Sequence, residues 1–360
     1  VTGIHGRLER ARAALATAGA GALVVSVGPE LPYLVGYRAT PLERPTALVL
    51  TAGGATLVVP RLEEPRVRPD PAFALRGWRE TEDPVAIVAE LVGDARVVAV
   101  GEQARAGFLL ALQEALPRVR FVPAGPVIGP LRLRKDPAEI EALAAAAAAA
   151  DRVMDRLAAE RFSARSEREL ARWIADRLLE EGHETVEFAI VAAGPNGASP
   201  HHEPTGRRVR RGDVVVVDFG GRRGGYCSDT TRTFFVGEVP PEVRRAYDAL
   251  RRAQEAAVAA VRPGVPAERI DAAARRVLEE EGYGERFIHR VGHGIGLDPH
   301  EPPYLVAGAT TPLAAGMTFS VEPGIYVPGA WGMRLEDIVV VTATGVRRLN
   351  DTDRAPRTVA

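Results

Sequence analysis

The sequence predicts an α+β protein of two domains, and three observations carry that prediction. With 360 residues the chain is long enough to bury two separate hydrophobic cores. A passage rich in proline and glycine, residues 123–130, breaks the run of elements and divides residues 1–130 from residues 131–360. Beyond it, capped helical segments are interspersed with short strands that cluster around glycine-rich, polar motifs.

Composition narrows the function. A hydrophobic content of 46% with 26% charged residues is that of an ordinary soluble globular protein. A formal net charge of -1, with no long block of Lys or Arg, argues against nucleic acid or an anionic membrane as the main partner. The N-terminal segment holding His5, Arg7, Glu9, Arg10 and Arg12 is too charged for a signal-peptide core, and no apolar run reaches membrane-spanning length. A cytoplasmic protein is expected. A single cysteine, Cys227, excludes an intrachain disulfide framework and a thiolate zinc site.

In chain order, residues 4–18 read as an amphipathic helix, followed by the apolar run 22–27. Residues 47–51 and 55–59 flank Gly53-Gly54 and read as a hairpin. A helix over 84–92, a strand over 96–100, a helix over 103–116 and a strand over 119–122 complete a mixed first domain. In the second domain, Asp136-Pro137-Ala138-Glu139 joins a capping residue, a first-turn proline and a glutamate three places after the cap. A helix starts there and runs through the alanine tract to residue 160, alanine being the strongest helix former. Ser166 and Glu169 repeat the capping signature ahead of a helix that Gly182 ends. Further helices are predicted over 243–261 and 267–281, and strands over 185–191, 214–218, 317–321 and 334–341.

The stretch 214–233, VVVVDFGGRRGGYCSDTTRT, reads as two strands joined by a glycine-rich turn, and it holds Asp218 and Asp229. With Arg223-Gly224 as the two-residue turn, simple pairing sets these acids directly opposite each other, β-carbons roughly 4.5–5.5 Å apart. Carboxylates that close repel one another unless one is protonated or a cation lies between them. A second hairpin, centred on Gly329, would set Glu322 opposite Glu336, with Pro323 at a bulge or an edge. One such pair arises easily by chance; two in one domain do not.

His293 adds a nitrogen. It lies in Gly292-His293-Gly294-Ile295-Gly296, where glycines let the backbone approach closely. A lone histidine is more often a hydrogen-bonded core residue. Here, four of the seven histidines, His201, His202, His293 and His300, fall in turn-rich passages beside the acids, which favours binding. Four carboxylates and an imidazole form a hard, oxygen-rich set suited to Mn²⁺, Co²⁺, Fe²⁺ or Zn²⁺. The acids are too many for one ion, whereas two ions about 3.5–4 Å apart, bridged by shared carboxylates, would neutralise them. Such a pair acidifies a bridging water and clamps a carbonyl, so the residues point to metal-assisted hydrolysis. Neither GGRRGG nor GHGIG fits the GxGxxG fingerprint, and no dinucleotide cofactor is expected.

These residues also resemble a known family. VVVVDFGGRRGGYCSDTTRTF, VGHGIGLDPHEPP, FSVEPGIY and MRLEDIVVV, preceded by NGASPHHEP, closely resemble the creatinase/prolidase/aminopeptidase P group of pita-bread metallopeptidases, across residues 131–360. The first 130 residues resemble the same group's creatinase-type α/β domain through AGALVVSVGPELPYLVGY, and LRLRKDPAEIEAL is similar to its interdomain linker. The resemblance implies a pita-bread catalytic domain that hydrolyses the Xaa-Pro peptide bond with a hydroxide bridging two divalent metal ions, as an Xaa-Pro aminopeptidase or an Xaa-Pro dipeptidase. It implies that Asp218 binds one ion, that His293 and Glu322 bind the other, and that Asp229 and Glu336 bridge both. Glu322 would also serve as general base. His201 and His300 would hold the scissile carbonyl and the tetrahedral intermediate, a task for donors near a developing oxyanion. His289 and Arg334 match positions that line the pocket for proline. Mn²⁺ or Co²⁺ is expected ahead of Zn²⁺ or Fe²⁺, and a homodimer is the assembly the family often forms. Cys227 reads as a small core residue, or one packed behind the ligands, because hard ions gain little from a thiol.

Within that resemblance, a dipeptidase must recognise the free carboxylate of proline, usually with a cation. No Lys or Arg lies between Glu301 and Gly316, where some prolidases place one, and this tilts the expectation slightly toward tripeptides and longer substrates. Two other readings are another C–N hydrolase of this scaffold acting on a small amino acid derivative, and a non-catalytic binding protein on the same fold. Relatives of the second kind usually lose metal ligands, and none is missing here.

Overall fold

A computed structural model of the protein describes residues 3–360, and the chain divides into two compact units, one ending at Arg132 and the other spanning Leu133–Ala360. In the first unit α1 (Ile4–Thr17), β1 (Ala22–Val25), α2 (Glu30–Val35), β2 (Ala47–Thr51), β3 (Gly54–Pro60) and β4 (Ala74–Trp78) come in turn. α3 (Pro84–Val92), β5 (Val97–Val100), α4 (Ala106–Ala115), β6 (Arg120–Pro123) and α5 (Gly125–Leu133) follow. The strands form one mixed sheet in the order β4-β3-β2-β1-β5-β6, β1 pairing antiparallel with β2 and parallel with β5. β1 is buried along its whole length, which is why it reads as a continuous apolar run and not as an alternating one. Val88 and Val92 of α3 and Phe108 and Leu112 of α4 close over Val24, Val49 and Val98.

The passage 123–130, which composition marks as a domain boundary, does not break the run of elements. It is mostly helix: Pro126 falls in the first turn of α5, where no N–H is required, and Val127 and Ile128 are buried. α2 and β4 also go beyond the sequence reading. α2 is six residues long and β4 is buried only at Trp78, so neither shows a clear apolar period.

The second unit begins with α6 (Pro137–Ala158) and α7 (Glu167–Glu180), then β7 (Thr185–Ala193), β8 (Val214–Arg223), β9 (Tyr226–Cys227) and β10 (Thr230–Val236). α8 (Pro241–Ala260) and α9 (Glu268–Glu280) precede β11 (Gly292–Gly294), β12 (Glu301–Leu305), β13 (Thr318–Val321) and β14 (Gly324–Val327). β15 (Trp331–Arg334), β16 (Asp337–Val341), β17 (Val346–Arg348) and β18 (Arg357–Val359) end the chain. Both predicted capping boxes form, Asp136 with Glu139 and Ser166 with Glu169. The alanine tract of α6 buries Ala146, Ala147, Ala149 and Ala150, small side chains that let the helix lie close to its neighbours. One layer sets α6 and α7 against the sheet β18-β10-β8-β7, with β9 on β8; a second sets α8 and α9 against β12-β11-β13-β16-β17. The acids and His293 face a pocket lined from both sheets. Among the described residues, no helix is long and apolar enough to cross a membrane.

Candidate metal centre

The first hairpin does not pair as simple reading of the turn suggests. Its central residues are Gly224 and Gly225, with φ of 60° and 81°. Arg223 pairs with Tyr226 and Arg222 with Cys227, so Asp218 stands opposite Thr231 and not opposite Asp229. A type I′ turn needs positive φ at both central positions, which two glycines supply and Arg223-Gly224 would not. The turn moves by one residue and the register by two, and a shift of two leaves every side chain on its original face. Asp229, in the break between β9 and β10, is therefore a diagonal neighbour of Asp218 on the same face.

In the second hairpin one register runs through both ladders. Val321 pairs with Asp337, and Gly324 with Arg334, which sets Glu322 opposite Glu336 between them. Pro323 interrupts the ladder there, so the single strand predicted over 334–341 is split at Leu335-Glu336 into β15 and β16. The interruption turns both glutamates toward the same pocket.

His293 is held by crowded backbone. A β-carbon on Gly292 would lie 1.9 Å from the Ser320 carbonyl oxygen, and one on Gly294 2.2 Å from that of Pro302, so β11 fits between β12 and β13 only with glycine on either side of the histidine. His293 Nδ1 donates to the Gly294 carbonyl at 3.2 Å, which leaves Nε2 3.1 Å from Glu322 Oε1 and 3.8 Å from Asp229 Oδ2. Fixing one ring nitrogen on a carbonyl frees the other as a ligand atom.

Candidate ligand atoms of Asp218, Asp229 and Glu336 lie within 4.8 Å of one another, and so do those of His293, Glu322 and Glu336. Glu336 belongs to both sets, and Asp229, His293 and His300 form a third. All line a pocket of about 660 Å³, a usual size for a small-molecule site, together with His201, His289 and Arg334 and the apolar side chains of Phe188, Ile190 and Ile288. The His300 ring stacks on His293 with centroids 3.7 Å apart. His202, beside His201, turns away and meets Glu167 Oε2 at 2.9 Å.

The electrostatics set these acids apart. Burial, then repulsion from Glu336 and Asp218, pushes the Asp229 carboxyl well above its ordinary range, and burial with repulsion from Glu322 and Asp218 does the same to Glu336. Asp218 is raised by burial in spite of the Arg334 guanidinium. Burial is the largest influence on Glu322 and opposes its charge, but the hydrogen bond to His293 together with the positive charge of His293, His289 and Arg334 outweighs it and holds the carboxyl below the usual range. Asp218 Oδ1 and Glu336 Oε1 are buried with no hydrogen-bond partner. Unmatched oxygens of this kind, sharing a cage with an imidazole nitrogen aimed at its acids, fit divalent cations and are costly without them.

Arg334 is less available than a pocket-lining residue need be. It is 3% exposed, and its guanidinium reaches Asp218, the Tyr326 hydroxyl at 2.8 Å, the Pro200 carbonyl at 3.3 Å and Thr231 Oγ1 at 3.2 Å. Sequence reasoning missed Glu167 altogether. Fully buried, it accepts from Ala193 N, Asn196 Nδ2, Thr205 N and Thr205 Oγ1, besides meeting His202, and so ties down the segment that bears Ser199, Pro200 and His201. In sequence it looks like any first-turn glutamate, and only the run of polar residues at 196–205 hints at a partner.

Fold and site together define a metal-dependent peptidase. The chain belongs to metallopeptidase family M24, whose sequence profile matches residues 141–343, and the creatinase/prolidase N-terminal domain matches residues 7–134. The architecture is thus a pita-bread catalytic domain preceded by a creatinase-type domain, within the creatinase/prolidase/aminopeptidase P group. The chain is 48% identical over 352 residues to the probable dipeptidase PepE of Mycobacterium tuberculosis, covering 96% of this chain and 94% of that one. Among solved structures it is similar to dipeptidase PepE from Mycobacterium ulcerans, with a TM-score of 0.91, 47% identity and coverage of 99% and 98% of the two chains. A recombinant prolidase from Thermococcus sibiricus superposes with a TM-score of 0.93 at 38% identity, covering 99% of this chain and 98% of that one.

Proposed function

We propose that this peptidase hydrolyses Xaa-Pro dipeptides with two divalent cations, Mn²⁺ or Co²⁺, held by Asp218, Asp229, His293, Glu322 and Glu336. The observation that carries the reading is the pair of partnerless buried oxygens, Asp218 Oδ1 and Glu336 Oε1, within a cage whose acids repel one another. Asp218 would serve one ion, His293 and Glu322 the other, with Asp229 and Glu336 shared. Bound there, the cations supply an acidified water for attack and a Lewis acid for the scissile carbonyl.

The chain's own groups do the rest. Glu322 takes the proton of the attacking water: Ser320 Oγ donates to its Oε1 at 2.9 Å, and Oε2, with the Arg334 Nε 4.0 Å away, is the atom that receives the proton. His201 and His300, both exposed toward the pocket, donate to the carbonyl oxygen as it gains charge. Phe188, Ile190 and Ile288 offer the pyrrolidine ring an apolar wall, with His289 beside them and Arg334 fixing the floor through Asp218 and Tyr326. The relatives called dipeptidase and prolidase support a two-residue substrate. A homodimer in the cytoplasm completes the proposal, and light scattering of the purified protein measures the assembly. Purified, metal-stripped protein reloaded with Mn²⁺ or Co²⁺ is expected to release proline from Ala-Pro and Leu-Pro; absence of turnover on any Xaa-Pro peptide overturns the reading.

A further inference from the structure

A dipeptide differs from every longer substrate by one charge, the free carboxylate on its second residue. Two arginines line the pocket, Arg290 and Arg334. Arg334 is already committed to Asp218, Tyr326, Pro200 and Thr231 and has no edge left to offer. His289 is also engaged at both ring nitrogens, with the Arg290 carbonyl at 2.7 Å and the Tyr326 hydroxyl at 2.9 Å. Arg290 is different. Its side chain is exposed, and no carboxylate among the described residues pairs with its guanidinium. Its guanidinium carbon lies 4.4 Å from the centre of the Tyr304 ring.

We infer that Arg290 receives the free α-carboxylate of the substrate and thereby makes this site a dipeptidase. The inference rests on the Xaa-Pro reading above and names the specificity-determining residue within it. A guanidinium stacked on an aromatic face keeps its N–H groups in its own plane, free to fork onto a carboxylate, and the ring limits the freedom lost when it does so. Position supports the assignment. Arg290 stands three residues before His293, just ahead of β11, and His293 pairs with Tyr304 on β12, so the strand pair that holds platform and ligand also sets where the cation enters. The stretch 301–316 lacks a cation of its own, yet it supplies through Tyr304 the surface on which a cation from outside the stretch is held. The expectation of longer substrates, drawn from that missing cation, is thereby reversed.

The test compares wild type, Arg290→Met and Arg290→Lys, all metal-loaded, on Ala-Pro and on Ala-Pro amide, which lacks only the charge. Arg290→Met is expected to raise KM for Ala-Pro about 10–100-fold with kcat within threefold, and to leave kcat/KM for the amide within about twofold. Arg290→Lys is expected to recover part of the loss on Ala-Pro, since it restores the charge without the fork. A KM for Ala-Pro within about twofold of wild type in Arg290→Met, or an equal loss on both substrates, overturns the inference. If wild type turns over neither peptide, the Xaa-Pro reading fails by itself. Calorimetric titration of Ala-Pro into wild type and Arg290→Met then still decides the role of Arg290, equal affinity overturning it and weaker binding by the variant supporting it.

Discussion

Glu336 and Asp337 are neighbours in sequence and equally buried, at 1% and 0% exposure, yet they live in opposite electrostatic worlds. Asp337 meets Arg232 at 2.7 Å and Arg348 at 3.0 Å, pairs with Arg354 as well, and accepts from Gln254 at 3.1 Å. Glu336 has the Thr231 hydroxyl at 2.7 Å, is repelled by Glu322 and Asp218 more than Arg334 relieves it, and keeps one oxygen unmatched. The two side chains leave the strand on opposite sides, one toward the chain's own arginines and one toward the pocket. Burial of a charge is therefore not the mark of a site; burial with a carboxylate oxygen that the chain leaves unmatched is, as at Glu336 and Asp218. Glu167 belongs with Asp337: burial opposes its ionisation, but the N–H of Ala193 and the side chains of Thr205, His202 and Asn196 prevail and hold its pKa at about 2.

The largest effect that can sharpen this contrast is on turnover. Glu336→Ala should lower activity on the order of 10⁴-fold, as single catalytic deletions do, and reduce bound metal measured by plasma mass spectrometry. Denaturant unfolding of the metal-stripped variant should show stability equal to or above metal-stripped wild type, since a repelling charge is gone; a clear loss would break the comparison. Next comes Asp337→Ala, which strands Arg232, Arg348 and Arg354 and should cost about 3–5 kcal/mol of unfolding free energy, with Asp337→Asn as a milder form that keeps the shape. Mn²⁺ added to metal-stripped wild type at a hundredfold excess over its dissociation constant should raise stability by about 2.7 kcal/mol, read as a rise in Tm, and the rise should vanish in Glu336→Ala. The smallest effect is expected of Glu167→Gln, about 1–3 kcal/mol. Its pH dependence has a definite sign. A carboxylate held at about 2 against a usual 4.5 stabilises the fold above pH 4.5, and that contribution disappears as pH falls toward 2, so wild type and Glu167→Gln should converge in stability across that window.

The same contrast explains what could be read from the sequence. The acids of the site announced themselves because hairpin parity is robust: an error of two in the first register left Asp218 and Asp229 on one face, and the register of the second was set by its glycine turn. The turn itself was misplaced because GGRRGG offers more than one pair of central residues, and only backbone conformation chooses Gly224-Gly225. Asp337 and Glu167 were not legible, since their partners, Arg232 and Thr205 among them, lie 105 and 38 positions away and carry no local pattern. Arg290 was passed over for a related reason, its significance depending on Tyr304 across a strand pair. Short or half-exposed elements such as α2 and β4, and a helix hidden in proline and glycine such as α5, lacked the periodicity on which sequence reading depends.

The order of the cage along the chain has a consequence for how the enzyme comes into being. Asp218 and Asp229 are joined by a local turn and can come together as soon as that hairpin forms, but Glu322 and Glu336 lie at strands made only after α8 and α9. Until β13 and β16 have docked, a nascent chain holds two repelling acids and nothing that grips an ion from the other side. Loading is thus coupled to a long-range closure, the slowest kind of contact to make. An ion seated in this cage certifies that β13 and β16 have docked, and an isolated fragment ending before Glu322 should hold none tightly, however well its hairpin is formed.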